Sequence, residues 1–278
     1  MLATTPAVPT DLECDPRPWP VAERGVAIVN RGARPTRSDY ADIRLLASDY
    51  DGTLASNGRM EDATLEALGA ARRSGLALAL ITGRGFDDLL SVIGEHVTRF
   101  DFVVAEDGAV LYVPATAAVH LLADPPDDAF LTALARRGVP FERGRVIVSS
   151  SSSRVAEIQE AIDDTSAPLH LSLNKGAAMY LPTGVDKGFG LRAGLERFGI
   201  AEAAVAGFGD AENDLPFLRL SGISVAVANA LDSVKDHVDV VVDLPAGAGV
   251  AAFIWELLAI RCRATTSDGR PDGSHRPP

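Results

Sequence analysis

The strongest chemical signal in the sequence is the segment DYDGT, in which Asp49 and Asp51 directly follow a short apolar run at Leu45–Ser48. The run is typical of a buried parallel strand, and in an open α/β sheet ligands bind beyond the carboxyl ends of such strands. Two carboxylates at that edge repel each other unless a cation lies between them, and a divalent cation with oxygen ligands meets this need. A carboxylate can also attack phosphorus and form an acyl phosphate. The alternative is that the segment is only an acidic turn after a strand, with no role in catalysis or metal binding.

A second acidic segment, GDAEND, also follows an apolar run, and it places Asp210 and Asp214 four residues apart. At that spacing the two side chains can lie on one side of a turn that enters a helix. Taken alone, the segment is equally typical of an acid-rich helix N-terminus. Together with DYDGT it predicts a metal site, because four acids at one sheet edge would repel one another without a cation.

Two further segments offer groups that could bind phosphate. In ITGR, Thr82 has a hydroxyl, and Gly83 and Arg84 have backbone N–H groups near a predicted helix N-terminus, which suits phosphate oxygens. Lys187 begins another predicted helix and could neutralise both a nucleophile and a transferring phosphoryl group. Taken alone, ITGR is also typical of a plain strand-to-helix turn, and Lys187 of a solvated surface lysine.

Predicted apolar strands and amphipathic helices alternate along the chain and must position these residues. This alternation is found in the first and last parts of the sequence, whereas the central part has a different pattern. Such alternation predicts right-handed crossovers and a doubly wound parallel sheet. In the middle, two strand–helix pairs with loop-rich joins predict an inserted α+β module. We therefore predict an α/β core over residues 44–113 and 185–262, and a cap domain over residues 114–184.

Composition argues against several classes of protein. The net charge of −12 and the pI near 4.8 disfavour nucleic-acid binding, which gains most of its affinity from Lys and Arg on phosphates. No window reaches the ~18 consecutive apolar residues of a membrane span, and the first residues lack the pattern of a secretory signal. Two cysteines, Cys14 and Cys262, are too few for a disulfide framework and are interpreted as incidental. Their small number predicts that the protein is located in the reducing cytoplasm. The polar, Pro-rich ends, residues 1–43 and 263–278, are predicted to be disordered.

The order of the four segments DYDGT, ITGR, VDKG and GDAEND, each after a predicted strand, resembles the haloacid dehalogenase superfamily. Within it the chain is similar to the Cof-like phosphatases, whose large cap is inserted after the third strand of a Rossmann-like core. AEDGA and AGAGVAAFI resemble the segments that enter the cap and open the last helix, so the resemblance covers residues 44–261. One departure is Asp107, where Asn is usual; it adds negative charge near the site.

The resemblance implies a role for each matching catalytic residue. Asp49 would be the nucleophile and a magnesium ligand. Asp51 would be the general acid that protonates the leaving oxygen and then the base that activates water, with its backbone carbonyl also at the metal. Lys187 would neutralise charge. Because dehalogenases lack the second aspartate, Asp51 also favours a phosphoryl-transfer member of the superfamily.

The resemblance also implies which residues bind substrate and metal. Thr82 and Gly83 would bind the substrate phosphate, and Asn213 would contact the phosphate or the metal site. Asp210 would be the remaining direct Mg²⁺ ligand. Asp214 would not bind the ion directly but would orient the residues that do.

The activity that the resemblance implies is Mg²⁺-dependent hydrolysis of a small phosphorylated metabolite, with no nucleic-acid or membrane partner. A sugar phosphate is the first expectation for the substrate, and phosphoglycolate or another small phosphorylated acid is the second. A sugar phosphomutase is an alternative that release of inorganic phosphate would distinguish. A non-catalytic binding module on the same fold would predict loss of Asp49, Asp51 or Lys187, and all three are present.

Overall fold

The computed structural model describes residues 35–174 and 177–267, so most of the two predicted disordered tails lies outside the described residues. The strands are, in chain order, β1 (Leu45–Ser48), β2 (Ala77–Ile81), β3 (Phe102–Ala105), β4 (Val110–Val113), β5 (Ala118–Leu121), β6 (Glu142–Arg143), β7 (Val148–Ser151), β8 (Leu169–Asn174), β9 (Ala177–Pro182), β10 (Val205–Gly209), β11 (Ile223–Ala226) and β12 (Val240–Val241). The α-helices are α1 (Arg37–Asp42), α2 (Asp62–Arg73), α3 (Phe86–Ile93), α4 (Asp128–Arg136), α5 (Val155–Thr165), α6 (Lys187–Phe198), α7 (Leu215–Leu218), α8 (Asp232–Lys235) and α9 (Ala246–Ser267).

The larger sheet has eight strands in the order β12-β11-β10-β1-β2-β3-β4-β5. The strands from β12 to β3 are parallel, whereas β4 and β5 are antiparallel at one edge. Strands β1 and β10 are buried along their whole length, as expected where helices cover both faces of a parallel sheet. The predicted Rossmann-like α/β core is therefore confirmed.

The strand order decides which loops meet at the carboxyl edge of this sheet. Strand β1 lies between β10 and β2, with Leu45 in register with Val205 on one side and with Ala77 on the other. The loops after β10, β1 and β2 are therefore neighbours, although the chain leaves β2 and reaches β10 only after more than a hundred residues. These are the loops that carry GDAEND, DYDGT and ITGR.

A second, antiparallel sheet in the order β6-β7-β9-β8 is inserted between β5 and α6. Helices α4 and α5 pack on one of its faces and form a separate apolar cluster around Phe130, Leu134, Ile158 and Tyr180. Met179, on the same sheet, belongs instead to the main core. The predicted α+β cap is thus present as an inserted layer. The exact division into domains stays a prediction, and β5 extends the main sheet beyond the predicted boundary at residue 113.

The ends of the described chain differ from the sequence-based expectation. Helix α1 lies within the segment predicted to be disordered, because Tyr40 is buried with its ring centroid 5.7 Å from that of Phe253 on α9. Helix α9 continues to Ser267, beyond the predicted end of the core at residue 262. Cys262 is disulfide-bonded, so its interpretation as an incidental cysteine is wrong. Of the helices in the described ranges, none combines the length and hydropathy of a membrane span.

Helix α6 packs closely against the main sheet at two glycines, and this closeness sets the position of Lys187. A Cβ atom added to Gly190 would lie 2.3 Å from Val104 Cγ1, and one added to Gly194 would lie 2.3 Å from the Phe102 ring. Neither position has room for a methyl group. Because the two glycines let the helix approach β3, its first residue, Lys187, reaches the carboxyl edge of the sheet.

This packing predicts that Gly194→Ala destabilises the protein, even though alanine favours helices. The added methyl must displace the Phe102 ring, and overpacking of this kind lowers the free energy of unfolding by about 1–3 kcal/mol. Gly69→Ala on α2 is the matched control, because its Cβ would meet only the end of the flexible Arg73 side chain. Urea unfolding should show a loss for the first variant and no loss for the second. Equal stability of both variants would contradict the close packing of α6.

Candidate active site

Three buried acids meet where the loops after β1 and β10 come together. Asp49 directly follows β1, Asp210 directly follows β10, and Asp214 ends the short 3₁₀ turn that precedes α7. They are 5%, 2% and 0% exposed, and one carboxylate oxygen from each lies within 4.8 Å of the others. The structure therefore brings together three of the four acids that the sequence placed at a metal site.

The Lys187 side chain lies among these acids. Its Nζ atom donates to Asp49 Oδ1 at 2.7 Å and to Asp214 Oδ1 at 2.5 Å, and the side chain is only 1% exposed. Burial alone would lower the pKa of Lys187, but Asp214 and Asp49 raise it above its ordinary value, so the group is held as an ammonium. Lys187 is thus a buried cation at the sheet edge and not the solvated surface lysine that was the alternative.

The Lys187 ammonium does not fully compensate the acids around it. Burial raises the pKa of Asp49 to about 8 although Lys187 opposes the rise, and Asp214 and Asp210 add to it. A further cation among the three acids would favour the ionised form of Asp49. The donors are carboxylate oxygens, which hard divalent cations prefer, so the residues present fit a divalent metal.

Asp214 also fixes the turn that carries Asp210. Its Oδ2 atom accepts from the backbone N–H groups of Asp210 at 2.8 Å and Ala211 at 3.0 Å, while its Oδ1 atom is held by Lys187. Because both of its oxygens already accept hydrogen bonds from the protein, Asp214 is suited to orient its neighbours.

Asn229 belongs to the same edge of the sheet, and the predictions from sequence omit it. Its Nδ2 atom donates to the Gly52 carbonyl at 2.8 Å and lies 3.4 Å from Asp210 Oδ2, while its Oδ1 atom accepts from the Ala246 N–H at 2.7 Å. Asn229 thereby joins the DYDGT loop to the start of α9. The available signal was its position shortly after the apolar strand β11.

The Asp51 carboxylate is not one of the three clustered acids, and it binds Arg84. Arg84 donates from Nε to Asp51 Oδ2 at 2.5 Å and from Nη2 to Asp51 Oδ1 at 2.8 Å, and its Nη1 atom also donates to Asp88 at 2.8 Å. Hydrogen bonding to Asp51 is the main reason that the pKa of Arg84 is raised. In the described structure a bidentate ion pair with Arg84 thus holds the Asp51 side chain.

Thr82 and Gly83 lie at the carboxyl end of β2, beside β1. Thr82 is 1% exposed, and its hydroxyl oxygen accepts from the Arg84 N–H at 3.2 Å. A Cβ atom added to Gly83 would lie 3.1 Å from Asp107 Oδ1 and 3.4 Å from the Met179 side chain. The backbone at Gly83 is therefore close to both the core segment that enters the cap and the cap sheet itself.

Asp107 joins the inserted sheet to the acidic motif of the core. It is 2% exposed; its Oδ2 atom accepts from Ser172 Oγ on β8 at 2.8 Å, and its Oδ1 atom accepts from Asn213 Nδ2 at 2.9 Å. Burial raises the pKa of Asp107, and Lys187, Ser172 and Asn213 only partly oppose this. Asn213, predicted to contact phosphate, therefore uses one amide N–H on Asp107.

Glu106 anchors the segment that leads into the inserted sheet. The fully buried carboxylate accepts backbone N–H groups from Phe86 at 3.2 Å, Arg145 at 2.8 Å, Val146 at 2.8 Å and Ile147 at 3.1 Å. Four donors can compensate the burial of a carboxylate. No sequence pattern indicates this role, because the donors are backbone groups between 20 and 41 residues away in the chain.

A family model described as haloacid dehalogenase-like hydrolase matches residues 46–122 and 143–254, which is more than half of the chain. The chain is similar to a phosphoglycolate phosphatase of Methanopyrus kandleri, with 28% identity over 228 residues that cover 77% of this chain and 97% of the relative. A phosphoglycolate phosphatase of Methanothermobacter thermautotrophicus is 30% identical over 227 residues, covering 76% of this chain and 97% of the relative.

The fold is also similar to a solved sugar phosphatase of subclass IIB in the same superfamily. The TM-score is 0.64 and the identity 22%, with 78% of this chain and 99% of the other covered. The matched residues include the strand ends and helix that hold Asp49, Lys187 and Asp210 together. The family model covers more than half of the chain, and the matched residues include the buried acids. The chain therefore belongs to the family of haloacid dehalogenase-like hydrolases.

Proposed function

We propose that the chain is a Mg²⁺-dependent phosphatase that hydrolyses a small phosphorylated metabolite through an aspartyl phosphate on Asp49. The observation that carries the proposal is the buried Lys187 ammonium, which bridges Asp49 and Asp214 beside Asp210. A phosphoryl group that enters such a site finds a carboxylate nucleophile next to a fixed positive charge.

The first half of the reaction transfers the phosphoryl group to the enzyme. Lys187 holds Asp49 Oδ1 and so orients the carboxylate. A carboxylate oxygen of Asp49 forms a bond to phosphorus while the bond from phosphorus to the leaving oxygen breaks. The leaving oxygen keeps the electron pair and takes a proton from Asp51, acting as general acid.

The second half returns Asp49 to its starting state. Asp51, now ionised, takes a proton from water as that water attacks phosphorus, and inorganic phosphate and the Asp49 carboxylate are released. Both oxygens of Asp51 accept hydrogen bonds from Arg84, and these contacts compete with proton transfer between Asp51 and the leaving oxygen. We therefore propose that Asp51 leaves Arg84 when substrate binds.

The metal and phosphate contacts follow from the same geometry. Asp49, Asp210 and the Asp51 backbone carbonyl would hold Mg²⁺, and Asp214 would orient Lys187 and the turn. When bound, the ion supplies positive charge to the phosphoryl oxygens. The proposed phosphate ligands are the Thr82 hydroxyl, the Gly83 N–H and the remaining N–H of the Asn213 amide.

For the substrate we propose a sugar phosphate first, with phosphoglycolate as the alternative that the names of the full-length relatives favour. A sugar phosphomutase would use the same nucleophile but release no inorganic phosphate. Presence of Asp49, Asp51 and Lys187 argues against a non-catalytic binding module. The cytoplasmic location stays a prediction.

The first test of this function replaces the nucleophile. Asp49→Asn is nearly isosteric, but an amide does not attack phosphorus, so phosphate release should fall by at least about 10³-fold. Circular dichroism and urea unfolding should show a folded protein. Activity near that of the wild type would exclude the covalent mechanism.

The second test removes the metal. Exhaustive treatment with a divalent chelator should abolish phosphate release, and added Mg²⁺ should restore it. The same Mg²⁺ should raise the melting temperature of the wild type, because it relieves repulsion among buried acids and binds only the folded state. In Asp210→Asn that shift should be much smaller. Full activity after chelation would contradict the proposed metal dependence.

The third test separates the two roles of Asp51 with p-nitrophenyl phosphate, whose leaving group needs little acid catalysis. In Asp51→Asn the first step should persist while hydrolysis of the phosphoenzyme slows by about 10²–10⁴-fold. Stopped-flow mixing should then show a stoichiometric burst of p-nitrophenol before slow turnover. Asp88→Asn, which removes the other acid bound to Arg84, should show no such burst. A linear time course at the wild-type rate in Asp51→Asn would exclude Asp51 as the base.

A further inference from the structure

The leaving group of a bound phosphate ester must extend toward the inserted sheet. In phosphoryl transfer the attacking and leaving oxygens lie roughly in line with phosphorus. Asp49, the proposed nucleophile, lies at the carboxyl edge of the main sheet, so the leaving oxygen points away from that edge. Strand β8 covers this direction, and its Ser172 bonds to Asp107 beside the core site.

The groups at this junction share one chemical property: toward a ligand they offer hydrogen-bond acceptors. The Ser172 hydroxyl donates its hydrogen bond to Asp107, so toward any further partner its oxygen can only accept a hydrogen bond. Asp107 accepts with both oxygens. Because the Asp107 carboxylate requires a donor, the Asn213 amide presents its nitrogen to it.

This orientation has a consequence for the other end of the Asn213 amide. Its Oδ1 atom is buried and has no hydrogen-bond partner among the described residues. A buried acceptor without a partner costs free energy that a donor from a ligand would recover. Ser172, Asp107 and Asn213 together thus form an acceptor cluster at the junction.

We infer that this acceptor cluster selects phosphate esters with neutral, hydroxyl-bearing leaving groups over esters whose leaving group carries a carboxylate. A hydroxylated leaving group donates hydrogen bonds to the acceptors. A carboxylate cannot donate and is repelled by Asp107. The inference rests on the proposed function and decides between its two substrate classes, because glycolate is a carboxylate and a sugar is not.

The experiment measures binding, so that it does not depend on turnover. Isothermal titration calorimetry with Asp49→Asn protein should give tighter binding of glucose 6-phosphate than of 2-phosphoglycolate. In Asp49→Asn/Asp107→Asn the ratio of the two Kd values should shift toward phosphoglycolate by at least about tenfold, because an amide donor replaces a charged acceptor. Failure of the wild type to release phosphate from any ester would overturn the proposed function but would leave this ratio measurable.

Two further variants test the assignment to Asp107. In the same Asp49→Asn background, Ser172→Ala removes one acceptor and one hydrogen bond to Asp107 but keeps the Asp107 carboxylate, so it should shift the ratio in the same direction by a smaller factor. Asp87→Asn removes an equal charge from an exposed position, where the side chain pairs with Arg145, and should leave the ratio unchanged. Tighter binding of phosphoglycolate by the starting protein, or an unchanged ratio after Asp107→Asn, would overturn the inference.

Discussion

The buried ammonium of Lys187 is the interaction on which the site depends. It joins a residue at the start of α6 to Asp49 after β1 and to Asp214 in the turn after β10. Without it, three buried acids would face one another with nothing but solvent or a metal to separate them. The position of that ammonium depends in turn on Gly190 and Gly194, since only a helix without side chains there can lie so close to β3. Core packing and the position of the buried Lys187 charge are therefore coupled through helix α6.

Much of the site could be predicted from sequence because parallel strands bring distant loops to one edge. Asp49, Thr82 and Asp210 each follow an apolar run, and such runs place their carboxyl ends at the same edge of a parallel sheet. The partner of Asp51 could not be predicted in this way. Whether that carboxylate faces the metal site or Arg84 depends on side-chain rotamers, which carry no sequence periodicity.

The remaining differences arise where tertiary contacts decide the local structure. Helix α1 has only six residues, too few for helical propensity to stabilise it, and it forms because Tyr40 packs against α9. Strand β5 begins five residues beyond the predicted end of the core at residue 113, because pairing with β4 extends the sheet into sequence that resembles loop. Asn229 and Glu106 bind backbone groups far away in the chain, and no local pattern indicates such partners.

The Glu106 anchor has a consequence for how the family can diversify. Its carboxylate recognises the N–H groups of Arg145, Val146 and Ile147, which nearly every amino acid supplies. Mutations that change these side chains therefore leave the anchor's own hydrogen bonds in place, provided that proline is avoided. The inserted sheet can change in sequence while its attachment to the main sheet stays the same. Such a junction lets evolution exchange the surface above Asp49 without rebuilding the cluster of acids and Lys187 below it.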